Sequence, residues 1–213
     1  MHSTVATAPV LQVSGLCFHY PQQVLFSSLS ATLAPGVTLV QGSGKTTLLR
    51  LLAGDLPAQG GTLQLGATRL DQQPAAYRAQ VFRTDPRSEA LDAITALDYV
   101  KSLQPRYPSL NEQLWQDLVQ AFSLTPHLHK PLYMLSTGSK RKVWLATAFA
   151  AGAALTLLDE PFAALDQASI RVVMALLDDA SAHPGRAWVV ADYEAPGQVT
   201  LAGTLDLDKL GTL

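Results

Sequence analysis

The sequence predicts an α/β fold, with a core of buried strands and helices, an antiparallel β-subdomain and a helical subdomain. Three observations lead there. A glycine-rich turn, Gly42-Ser43-Gly44, joins the continuous apolar run Val37 to Val40 to a helix with leucines on one face. Residues 10–35 and 60–70 fall into short β-like pieces separated by turn residues. Residues 91–135 then change to helical periodicity, ahead of two further apolar runs, Leu155 to Leu158 and Ala187 to Ala191.

Taken in order, LQVSGLCF and QVLFSSLSATL are strands, separated by a turn at Tyr20-Pro21-Gln22 and closed by Ala34-Pro35-Gly36. Val37 to Val40 is a buried central strand feeding a helix from Lys45 to Ala53, with Gly54 as its C-cap. GTLQLGATRL alternates as a further sheet strand. DAITALDYVKSLQ and NEQLWQDLVQAFSL are helices separated by Pro105 and Pro108, the second capped by Asn111. Trp115 and Trp144 are expected in the core. A helix entered through Ser136-Thr137-Gly138-Ser139 runs to Ala151, and Leu155 to Leu158 is a strand ending in Asp159-Glu160. Asp166 caps a helix with Ile170, Val173, Met174 and Leu177 on one face, and Ala187 to Ala191 is the last strand.

At 213 residues the chain fits one sizeable domain. Its 48% hydrophobic and 15% charged residues suit a packed core and argue against a long disordered tract. A net charge of −2 gives no general electrostatic reason to bind nucleic acid or anionic lipid. The basic cluster Lys140-Arg141-Lys142 reads as the solvated face of a helix. The single Cys17 excludes an internal disulfide, and MHSTVATAPV has neither the basic start nor the apolar core of a signal peptide. A cytoplasmic location is expected, with membrane association only through a partner.

The turn at Gly42 has the chemistry of a phosphate-binding loop. Its glycines let backbone N–H groups face an anion at the positive end of a helix dipole. Lys45 would reach the β- and γ-phosphates and the Thr46 hydroxyl would ligate Mg²⁺. The full pattern is GxxxxGKS/T, however, and its first glycine position is held by Leu39. About three residues, roughly 10 Å of extended chain, are missing before Gly42. A deletion and a stretch absent from the sequence are both open. The survival of Lys45, Thr46, Asp159 and Glu160 favours the second, which predicts that Gln41 and Gly42 are distant in space.

The order GSGKTTLL, LSTGSKRKVWLA, ALTLLDEPFAALD resembles the ABC-type ATPases over nearly the whole chain. The resemblance implies a P-loop NTPase fold: an ABC cassette with a RecA-like core, an antiparallel β-subdomain and a helical subdomain. It divides a single domain, 1–213, into about 10–70 for the β-subdomain and phosphate loop, about 87–135 for the helical subdomain and about 136–213 for the rest. It implies ATP held by Gly42, Ser43, Gly44, Lys45, Thr46 and Thr47, with adenine stacked on Tyr20. Mg²⁺ would be held through Thr46 and Asp159, and Glu160 would polarise the attacking water. Ser136 and Gly138 stand in the signature, usually LSGGQ, which meets ATP across a dimer of two copies. Asp166 lies in the loop linking the two sites. The implied partner is a separately encoded transmembrane permease at the inner face of the membrane. The length and the lack of a hydrophobic span resemble small bacterial exporter subunits, including the haem-exporter ATPase type.

Two further positions depart from the family pattern. Asp85 stands near the place of a glutamine that senses Mg²⁺ and the permease, and Asp192 replaces a histidine that contacts the γ-phosphate. A carboxylate can ligand metal or hold a water, but when ionised it cannot donate a hydrogen bond. Slow hydrolysis is one consequence, and an ATP-dependent dimerising switch is therefore the first alternative. The second is an ABC ATPase acting on nucleic acid, which usually needs a coiled-coil insertion or second cassette; a nucleotide kinase would have no use for LSTGS.

Overall fold

The computed structural model describes residues 8–85 and 88–210. Alternating apolar residues make β1 (Leu11–Tyr20) and β2 (Gln23–Leu33) an antiparallel pair across the predicted Tyr20-Pro21-Gln22 turn. The chain then forms β3 (Gly36–Gln41) and helix α1 (Lys45–Leu52), and returns as β4 (Gly60–Leu65) and β5 (Thr68–Arg69). The first sheet is therefore antiparallel with order β2-β1-β4-β5.

Helix α2 (Pro74–Ala79) and strand β6 (Val81–Arg83) precede α3 (Ala96–Leu103) and α4 (Glu112–Ala121). Helix α3 begins later than its periodicity suggests, because the Thr95 hydroxyl accepts from the Asp98 amide and ends the irregular entry there. Asn111 caps α4 as expected, accepting from the Leu114 amide at 3.0 Å. The chain continues through α5 (Thr137–Ala150), β7 (Leu155–Asp159), α6 (Gln167–Ser181), β8 (Ala187–Ala191), β9 (Leu201–Asp206) and α7 (Leu207–Leu210). The second sheet is parallel, with order β6-β7-β8-β3-β9.

This sheet separates two cores, which explains why its strands read as unbroken apolar runs. Val37, Leu39, Trp188 and Val190 face a cluster that includes Trp115, Trp144 and the inward sides of α3 to α6. Val40, Leu157, Val189 and Ala191 face the other way, onto α1 and the antiparallel sheet. The period-two alternation thus persists with both faces buried. In α6, Val173 and Leu177 are fully buried while Ile170 and Met174 are half-buried at the edge.

Strand β3 runs straight into the glycine turn. Its pairing with β9 continues to Gln41↔Asp206, and Gly42 follows without interruption, so Gln41 and Gly42 are neighbours. The expected missing stretch is therefore corrected: the connection from β3 to α1 is three residues, Gly42-Ser43-Gly44. Asp208 of α7 fills the space beside it, because a Cβ on Gly42 would lie 2.9 Å from the Asp208 carboxyl carbon. Strand β9 and helix α7, which close the loop, were not anticipated from sequence.

Candidate active site

The carboxyl ends of β3 and β7 meet at an open cavity of about 460 Å³, lined by residues 42–47, Glu160, Tyr193 and Asp208. Gly42 and Gly44 have φ of 92° and 90°, a left-handed conformation that costs a side-chain-bearing residue steric strain. This geometry turns the chain sharply enough to start α1 at Lys45. Lys45 is only 7% exposed. Its ammonium donates to the Gly42 carbonyl at 3.3 Å and sits 3.7 Å from the centre of the Tyr193 ring.

The Thr46 hydroxyl donates to Asp159 Oδ2 at 2.8 Å. Asp159 Oδ1 is buried and has no hydrogen-bond partner among the described residues. A carboxylate oxygen left unpaired beside a hydroxyl is a site that asks for a cation. Two oxygen donors, with room for water and phosphate oxygens, fit Mg²⁺. Glu160 follows at the tip of β7 with φ 47°, its amide donating to the Ala191 carbonyl at 2.9 Å.

Tyr20 lies beside this cavity, its hydroxyl 3.2 Å from that of Thr47 and its ring edge-on to Phe18. Asp85 turns elsewhere: it pairs with Arg83 at 3.3 Å, and Arg83 also holds Asp55 at 2.8 Å. Asp192 follows β8 directly, and its carboxyl accepts from the Tyr193 amide at 2.7 Å. Burial raises its pKa from the usual carboxylate value, and the neighbouring Glu160 adds to that rise.

At the signature, the Ser136 hydroxyl caps α5 by accepting from the Ser139 amide at 3.1 Å. Gly138 packs so tightly on the loop before α6 that an added Cβ would be 2.5 Å from the Ala164 carbonyl oxygen. Ala164 itself has φ 59°. Asp166 caps α6, accepting from the Ser169 amide at 2.8 Å and from Lys142 at 2.6 Å. The Lys142 ammonium, with the Ser169 bonds, holds the Asp166 carboxyl well below the usual carboxylate range. The structure thus gathers residues 42–47, Asp159 and Glu160 at one place, with Tyr20 alongside. Ser136, Gly138 and Asp166 form a second group around the start of α5, and Asp85 lies outside the cavity.

Sequence reasoning missed Tyr193 and Asp208. Asp208 Oδ1 accepts from the Ser43 amide at 2.9 Å, an N–H of the turn that would otherwise face an anion. The acidic, alternating segment TLDLD beginning at Thr204 carried a strand signal, but nothing in it pointed to the glycine turn.

The family model described as "ABC transporter" matches residues 28–163. The cytochrome c biogenesis ATP-binding export protein CcmA of Rhodospirillum rubrum is 35% identical over 187 residues, covering 85% of this chain and 80% of CcmA. The taurine import ATP-binding protein TauB of Pseudomonas fluorescens is 32% identical over 163 residues, covering 74% of this chain and 61% of TauB. Among solved structures, a putative ABC transporter ATP-binding protein from Pyrococcus furiosus superposes with TM-score 0.74 at 22% identity, over 93% of this chain and 98% of its own. No helix among the described residues is long and apolar enough to cross a membrane. The chain belongs to the ABC transporter family of ATP-binding, ATP-hydrolysing cassettes.

Proposed function

We propose that this chain is the motor subunit of an ABC transporter, closing as a pair of copies around two ATP molecules to drive a separately encoded permease. The observation that carries this reading is the Thr46–Asp159 pair with its unpartnered carboxylate oxygen, one residue from both Lys45 and Glu160. Lys45 would leave the Tyr193 ring to engage the β- and γ-phosphates. Bound Mg²⁺, held by Thr46 and Asp159, would neutralise phosphate charge. Glu160 would accept a hydrogen bond from the attacking water and orient it toward the γ-phosphate. Ser136 and Gly138 of a second copy would complete the site.

An exposed apolar patch supports the permease. Tyr133 and Met134 are 64% and 58% exposed, and the Tyr133 amide donates to the Asp92 carbonyl, which ties them to the segment that carries the exposed Leu91. Nucleic acid finds no comparable footprint, since Lys140, Arg141 and Lys142 all bond within the chain. A location at the cytoplasmic face follows from the permease.

The test is ATP turnover by the purified chain. Wild-type protein releases phosphate, and Glu160→Gln lowers kcat by about 100-fold or more while still binding ATP. Turnover unchanged in Glu160→Gln would refute the assignment. Asp192, which when ionised lacks the donor a γ-phosphate contact needs, favours one other reading: a switch that dimerises on ATP and hydrolyses little. ATP binding and dimerisation without Glu160-dependent phosphate release would select it.

A further inference from the structure

Three consecutive basic residues follow Thr137-Gly138-Ser139 in helix α5, and each reaches a different part of the molecule. Lys140 pairs with Asp92 at 2.7 Å, at the approach to α3, and Lys142 pairs with Asp166 at 2.6 Å, at the cap of α6. Arg141 lies between them and turns toward the tip of β7. Its Nη1 donates to the Asp159 carbonyl at 3.2 Å and to the Glu160 carbonyl. The side chain is half-buried, its Nε fully so, and it lines a small cavity with Trp144, Leu158 and Pro161, where a charged donor is worth more than in water.

The two peptide units it holds are those that aim Asp159 and Glu160. Glu160 adopts φ 47°, which a glutamate leaves readily unless its surroundings hold it. Neutral bonds also hold this stretch: Asp159 pairs with Ala191 in the β7–β8 ladder, the Glu160 amide donates to the Ala191 carbonyl, and the Ala163 amide donates to the Glu160 carbonyl. A charged donor spanning consecutive carbonyls is the stronger restraint, since charge-assisted hydrogen bonds exceed neutral ones.

We infer that Arg141 is a positioning residue for hydrolysis, locking the backbone of Asp159 and Glu160 to helix α5. Ser136 caps α5 and Gly138 lies in its first turn, so a displacement of the signature end is transmitted to the carboxylate of the same chain. The inference rests on the reading of Glu160 as the residue that orients water. Lysine cannot replace the function fully, because a compact ammonium lacks the planar fork of a guanidinium.

The experiment compares wild type, Arg141→Lys, Arg141→Met and the double variant Arg141→Met/Glu160→Gln in the full chain. Arg141→Met is expected to lose about 10- to 100-fold in kcat with the Kd for ATP unchanged, the scale of a misplaced catalytic group. Arg141→Lys recovers part of that loss, and the double variant is no slower than Glu160→Gln alone. A merely structural role would weaken ATP binding and lower the melting temperature in proportion, without this non-additivity. Should Arg141→Met fail to fold, Arg141→Lys carries the same comparison. Wild-type kcat in both Arg141 variants, or losses that multiply with Glu160→Gln, would overturn the inference while leaving the hydrolase standing. Absence of Glu160-dependent turnover in the wild type would overturn both.

Discussion

Replacing Asp208 by Asn should tighten ATP binding. The Asp208 carboxylate now accepts the Ser43 N–H at 2.9 Å, in the seat a phosphate oxygen would take. A nucleotide must displace it or lie beside it, and either costs free energy. Asp208 is solvent-exposed, so its charge is heavily screened. A unit negative charge about 5 Å from a phosphate oxygen costs roughly 1 kcal/mol at the dielectric of water and about 3 kcal/mol at an effective value near 20. With the exposed limit weighted most, removing the charge while keeping the side-chain shape should gain about 1–2 kcal/mol, roughly a 5- to 30-fold lower Kd. Isothermal titration with ATP and Mg²⁺, at low and physiological salt, measures this directly. The difference between the proteins should shrink as salt rises. Identical Kd values for wild type, Asp208→Asn and Asp208→Ala at low salt would refute the argument that this carboxylate competes for the phosphate seat.

Gly138→Ala should lower kcat by about tenfold or more, because the new methyl group meets the Ala164 carbonyl oxygen at 2.5 Å and pushes the loop before α6 away from the signature. Steady-state phosphate release checks this, with single-chain ATP affinity expected to be unchanged. His183 should make stability fall with acid. Its Nδ1 accepts amides from Gly185 and Arg186, both at 3.1 Å, and burial, aided by Arg186, lowers its pKa. A depressed folded pKa means this stabilisation is complete above the unfolded histidine value, about 6.5, and is lost as pH falls through the lower folded value. Thermal melts between about pH 7.5 and 5 should show that loss in wild type and a smaller one in His183→Gln.

Much of the site was legible because its chemistry is local in sequence. Lys45 and Thr46 follow their glycines directly, and Asp159-Glu160 end an apolar run that could only be a buried strand. Asn111 and Asp166 announced helix starts through a side-chain oxygen that accepts from an amide three residues on. What escaped notice depends on contacts between distant segments. Asp208 approaches Ser43 only because β9 pairs with β3, and the half-exposed pattern of β9 is that of an edge strand, without the dense apolar run of its neighbours. The Lys140-Arg141-Lys142 cluster looked like a solvated face because its partners, Asp92, the β7 tip and Asp166, are brought together only by packing.

The same pairing of β3 with β9 bears on how the protein is made. The glycine turn emerges early from the ribosome, yet the strands on both sides of β3, β8 and β9, begin at residues 187 and 201. At about 5–20 residues per second, the turn waits several seconds or more for its flanking strands. Until then Val37, Leu39 and Val40 lack partners on either edge, and Ser43 lacks the carboxylate that lies 165 positions away. An incomplete chain should therefore neither hold nucleotide in its final geometry nor bury its central strand, making this segment the point at which chaperones would engage a nascent copy.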